Sequence, residues 1–130
     1  MASEAELLAL AERCEAASGP VEVAGLNGDI LRALGWSSDA IAVYDPAGER
    51  RSGIPSYTTT LDGAMTLVPS LYGQIEAYAP DHNTLGWTVH LSCDANRHIS
   101  NRSAFAQSYP LALCAAALRA RAATMGGSDD

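Results

Sequence analysis

The segment WTVHLSC, residues 87 to 93, constrains the fold more than any other stretch. Trp87, Val89, Leu91 and Cys93 alternate with Thr88, His90 and Ser92, the period of a strand with one face in a core and one in water. The preceding GQIEAYAP alternates in the same way, Ile75, Ala77 and Ala79 against Gln74, Glu76 and Tyr78, and the following RHISNRSAF reads as a polar third strand. DHNTLG and DAN are turn-like connections between them, so the three strands predict an antiparallel meander. Behind it, YPLALCAAALRARAA predicts a helix with Pro110 in its first turn and Leu111, Cys114, Ala115 and Leu118 on one face.

Upstream the period changes to that of helices. Ser3 and Glu6 form a capping box ahead of Leu7, Leu10, Ala11 and Cys14, predicting a helix over 3–17 that Gly19-Pro20 ends. A second helix is expected from a cap at Asn27 to Leu34, with Gly35 in the left-handed position that closes it. Residues 37–55 are turn-rich, and AIAVYD within them reads as a short strand. Thr60 is the natural cap of a third helix whose stripe is Leu61, Ala64, Met65 and Val68, stopped by Pro69.

The order is therefore α-α-(β)-α-β-β-β-α. It predicts an α+β protein in which a three- or four-stranded antiparallel sheet packs against helices. The expected division is an N-terminal helix and linker over 1–24, an α+β domain over 25–124, and a disordered tail over 125–130.

Composition narrows the functional classes. The 130 residues are 48% hydrophobic with a single Phe, so the core relies on close packing of small side chains. A net charge of −7 repels phosphate backbones, and no nucleic-acid partner is expected. All eight basic residues are Arg, a bias with no specific functional meaning by itself. Cys14, Cys93 and Cys114 imply no disulfide framework, the start lacks a secretory signal, and no apolar run reaches membrane length. These features predict a protein of the cytosol with no membrane partner.

Three blocks, LNGDILRALGW (26–36), IPSYTTTLDGAMTLVP (54–69) and SYPLALCAAALRARAA (108–123), together resemble the landmark blocks of the phage ABA-sandwich domain family, small phage and prophage proteins. The resemblance covers roughly residues 25 to 123. It implies an α+β domain, a phage setting and the cytosol of a bacterial host, and leaves activity open because that family is mostly uncharacterised. Where many relatives have Asp as the cap, this chain has Thr60, with Asp62 two residues later. A chemical role for that Asp would not carry over.

Four consecutive hydroxyl residues, Tyr57, Thr58, Thr59 and Thr60, precede the third helix. They read either as a cap led by an extended segment, with Tyr57 packing, or as a cradle in which a helix start and neighbouring hydroxyls hold a ligand. Arg97, His98, Asn101 and Arg102 make the third strand either an exposed edge guarded by charge or the wall of a concavity. As a wall, its two Arg with Trp36 or Trp87 would suit a flat anionic ligand. His90, Cys93 and His98 make a poor metal set, because His90 and Cys93 point to opposite faces of one strand. No phosphate loop, nucleophile elbow or zinc signature is present, so no catalytic residue, metal or cofactor is expected.

Three functional classes follow. The first is a non-catalytic small-molecule binder, by analogy with small phage proteins that sequester nucleotide-derived immune signals of the host. Its ligand-binding residues would be Trp36, Tyr57, Thr58, Thr59, Trp87, Arg97 and Arg102. The second is an accessory factor that binds and modulates a host protein through the acidic surface or the GQIEAYAP edge. The third is a cryptic phosphodiester hydrolase. The alanine faces of the last helix suggest a homo-oligomer, a dimer or larger.

Overall fold

The computed structural model describes residues 3–17, 20–35, 37–38, 43–44, 50–51, 57–69, 72, 74–82, 85–92 and 101–125. Trp36, Cys93, Arg97, His98, most of AIAVYD and the tail beyond residue 125 lie outside that set. The architecture is α+β, in the order α1 (Glu4–Ala16), α2 (Pro20–Ala33), β1 (Ser37–Ser38), β2 (Val43–Tyr44), β3 (Arg50–Arg51), α3 (Leu61–Met65), β4 (Gln74–Tyr78), β5 (Trp87–Ser92), β6 (Asn101–Ala106) and α4 (Tyr109–Met125). The first three strands are a small antiparallel meander, and β4-β5-β6 is the main antiparallel sheet.

α1 forms as its sequence dictates. The Ser3 hydroxyl accepts the Glu6 N–H at 3.2 Å, the Glu6 carboxylate accepts the Ser3 N–H at 3.3 Å, and Leu7, Leu10, Ala11 and Cys14 are its buried stripe. α2 differs from expectation: it begins at Pro20, not at Asn27. Proline fits the first turn of a helix because no intrahelical partner awaits its missing N–H, so Gly19-Pro20 marks a start as well as a stop. The helix runs unbroken through residues 24 and 25, where the domain boundary was expected. It buries Leu26, Ile30 and Leu31 and ends at Gly35, whose φ of 94° is the left-handed turn expected there.

The Thr60 cap is present, its hydroxyl accepting the Gly63 N–H at 3.0 Å. α3 is only five residues long, and the next turn tightens through bonds from Leu67 N–H to Ala64 O and Val68 N–H to Met65 O. The tighter turn brings Leu67 into the core beside Ala64, while Leu61 and Met65, expected in the stripe, stand exposed.

In the main sheet, Ile75 and Ala77 of β4 are half-buried between exposed neighbours, and Val89 and Leu91 of β5 are fully buried. Ala104 and Ala106 complete this inner face on β6. β5 starts tightly against β6, since a Cβ on Gly86 would lie 2.5 Å from the Ala106 carbonyl oxygen. The inner face packs on α4, which α1 and α3 cover on its other sides. Every residue from Leu111 to Leu118 is buried, not one face of four. A helix that is apolar all round belongs inside a protein. The alanines expected on an intersubunit surface are thus used within the protomer. α1 shares the same buried cluster.

Candidate functional site

The hydroxyl run lies where three helices meet. Thr58 is 1% exposed, and its N–H and its hydroxyl both donate to the Asn27 side-chain oxygen at 2.9 Å. Asn27, in the middle of α2, therefore ties that helix to the segment before α3. Tyr57 is also buried, its carbonyl accepting the Cys114 thiol at 2.8 Å. Burial pushes the Tyr57 phenol above its usual range, and the nearby Arg121 guanidinium opposes this. Arg121 donates to the Leu67 carbonyl at 2.6 Å, holding the turn after α3 against α4. Of the run, Thr59 and Thr60 remain exposed, and Thr60 is the cap.

Of the other expected site residues, Trp87 and Arg102 are described and stand apart. Trp87 is half-buried and stacks on Tyr109, with ring centroids 4.9 Å apart and planes 17° from parallel. Arg102 pairs with Leu91 and Trp87 with Ala106, so Arg102 and Trp87 stand at opposite ends of the β5-β6 ladder. That separation is roughly 13 Å at the rise of an antiparallel strand. Trp36 and Arg97 fall outside the described residues. Tyr57 and Thr58 are buried, Tyr57 within the hydrophobic core cluster.

A different group of residues surrounds an open groove of about 470 Å³ between α1 and α2. Glu6, Ala9, Leu10 and Arg13 line it from α1, and Asp29, Arg32 and Ala33 from α2. Arg13 meets one Asp29 oxygen at 2.7 Å while Arg32 meets the other. Burial pushes the Asp29 carboxyl up, but the bonds and charges of the two guanidinium groups outweigh it and hold the acid below its usual range. One ionised carboxylate thus positions two guanidinium groups, each with further donors. With Glu6 at the rim, the lining carries two positive and two negative charges. Sequence reasoning missed this site because Arg13 reaches Asp29 from another helix, a contact that no local spacing announces. Asp29 and Arg32 are three apart on one helix face, the spacing at which side chains meet.

A second charged group closes one sheet edge. Arg119 of α4 donates to both oxygens of Glu15, at 2.9 and 2.5 Å, and to the Ser103 carbonyl at 2.9 Å. Glu15 also accepts the Phe105 N–H at 2.9 Å. The pair supplies β6 with the donor and acceptor that a neighbouring strand would offer. Its bond from Arg119 holds the Glu15 carboxyl below the usual range, helped by the Phe105 N–H and opposed by burial. Cys14 and Cys114 are buried free thiols; burial pushes Cys14 up to about 12 and Cys114 higher still, which removes both as nucleophiles near neutral pH.

Comparison of the chain with protein-family models, with curated proteins and with solved structures returns no match.

Proposed function

We propose that this chain is a non-catalytic binding protein for a small anionic molecule of nucleotide size, held in the groove between α1 and α2. The observation that carries the reading is the pair of guanidinium groups, Arg13 and Arg32, converging on Asp29 beside an apolar floor of Ala9, Leu10 and Ala33. A space of about 470 Å³ accommodates a small organic ligand. Spare Arg donors suit phosphate or carboxylate oxygens, and the alanines and Leu10 suit a ring. The resemblance to phage ABA-sandwich proteins supplies the setting: a phage protein in the cytosol of a bacterial host that sequesters a nucleotide-derived immune signal.

Native mass spectrometry of gently purified protein, followed by denaturation and analysis of what is released, tests the reading. A nucleotide-like species at one per chain or per dimer is expected, and Arg13→Ala and Arg32→Ala should each lose it. A ligand-free spectrum, with no binding from a broad nucleotide panel by calorimetry, would overturn the proposal. One observation favours a second reading, an accessory factor for a host protein. Tyr78 (54%) and Phe105 (45%) on the outer side of the sheet, and Leu85 (92%) in the connection before β5, are exposed apolar side chains. A defined host partner whose capture is lost in Tyr78→Ala and Phe105→Ala would select that reading.

A further inference from the structure

The two edges of the main sheet are treated differently. β6 is closed by Glu15 and Arg119, which bond the Phe105 N–H and the Ser103 carbonyl on the side away from β5. In an antiparallel strand the N–H and C=O of one residue point to the same side, and successive residues alternate. Residues 103 and 105 therefore face outward, and 102, 104 and 106 face β5 through Leu91, Val89 and Trp87. It follows that Thr88, His90 and Ser92 face β4 through Tyr78, Glu76 and Gln74. The main-chain groups of Ile75 and Ala77 are left pointing away from the sheet, and those of Ala79 continue the same phase. β4 itself holds no proline and no basic residue, and Glu76 is its one charge. Within β4 itself, the proline and lysine that commonly block an open edge are missing.

We infer that β4 pairs antiparallel with β4 of a second copy of this chain, about a two-fold axis at Ala77, extending the sheet from three strands to six. Charge and pattern select this register. A two-fold at Glu76 would set two carboxylates directly opposite, which is unfavourable. A two-fold at Ala77 sets Glu76 opposite Tyr78 and Ile75 opposite Ala79, so the apolar row of one copy continues the apolar row of the other. Two Ala77 residues then exchange both main-chain bonds, and the two Ile75–Ala79 pairs add theirs. The contact is one strand wide, below the area of a standard stable interface, so the dimer dissociates on dilution. This inference does not depend on the groove ligand.

Analytical ultracentrifugation of the whole chain over a range of concentrations reads the association directly. A concentration-dependent dimer is expected, and Ala77→Pro, which removes the central N–H from each copy, should weaken it on the order of 100-fold. Because that variant can also perturb the strand, cysteine cross-linking gives a second measurement. Under mild oxidation Ala77→Cys should yield a covalent dimer, since opposed residues sit within disulfide reach. Glu76→Cys, offset from its own copy by two residues, should give no more dimer than the parent chain. A monomer at every concentration, or equal cross-linking of Glu76→Cys and Ala77→Cys, would overturn the inference.

Discussion

Replacing Glu15 by Ala should be among the most damaging changes to a charged residue of this protein. The side chain bonds Arg119 twice and the Phe105 N–H once, joining α1, α4 and β6, and about a quarter of the surface of each partner remains exposed, 24% for Arg119 and 27% for Glu15. Hydrogen bonds to charged groups contribute roughly 1.5–3 kcal/mol each when well buried. Three would give more than 4 kcal/mol, but water still reaches the pair, so a loss of about 2–3 kcal/mol is expected. In a domain of this size that lowers Tm by about 10 °C. The assay is denaturant unfolding of the parent chain, Glu15→Ala, Arg119→Met and the double variant, with methionine keeping the packing of the arginine stem. The cycle should return a coupling of about 1–2 kcal/mol. The pH dependence carries a sign. Because the native Glu15 carboxyl lies below its ordinary value of 4.5, the contribution is complete above that value and disappears as the pH falls through the lower native one. Glu15→Gln, which keeps an acceptor for Phe105, should flatten that acid limb. A coupling under about 0.5 kcal/mol, or an unchanged limb in Glu15→Gln, would refute the reasoning.

Asn27→Ala should cost about 1.5–3 kcal/mol in the same unfolding assay, and Thr58→Val, which removes only the hydroxyl bond, less than that. Equal or reversed losses would show that the tie between α2 and the hydroxyl run is not made as described. Gly25→Ala should raise stability by about 0.5–1 kcal/mol, because a Cβ there meets nothing within 4 Å and glycine is costly in a helix. A lower Tm for that variant would indicate contacts that the free chain does not display.

The sequence carried some of this and concealed the rest for identifiable reasons. β4 and β5 were legible because strict alternation has one reading once a core lies on one side. The Ser3 capping box and the Thr60 cap were legible because their bonds are local. Asn27 misled, since the residue type that caps helices also serves wherever a buried N–H and hydroxyl need one acceptor. Asp29 and Arg32 fall on the expected second helix, but Arg13 reaches them from α1, 16 residues before Asp29, and no local spacing announces that convergence. For Tyr57 and Thr58 the local pattern left packing and a ligand cradle both open. Their burial depends on Asn27 and Cys114, partners 31 and 57 residues away in the chain. The edge closure by Glu15 and Arg119 spans 104 residues and follows no local pattern.

The alanine content of α4 explains why such long-range polar ties matter here. A buried alanine removes little apolar surface from water, so a helix made largely of alanine permits close approach on every side while contributing modestly per residue. Alanine faces also look alike, and smooth packing alone specifies the rotation of α4 against α1, α3 and the sheet weakly. Polar ties supply that specification at three points around the helix. Cys114 fixes the Tyr57 segment, Arg119 fixes α1 and β6 through Glu15, and Arg121 fixes the turn after α3. All three sit on α4, and α2 is bound to this frame through Asn27 and its own apolar stripe. The proposed groove therefore has one wall, α1, locked to the central helix and another, α2, that carries glycines at 25 and 28 and whose described polar ties are Asn27 to Thr58 and Asp29 to Arg13. A ligand bridging Arg13 and Arg32 would stiffen the looser wall against the firmer one, so amide exchange along α2 should slow on binding more than exchange along α1 or α4.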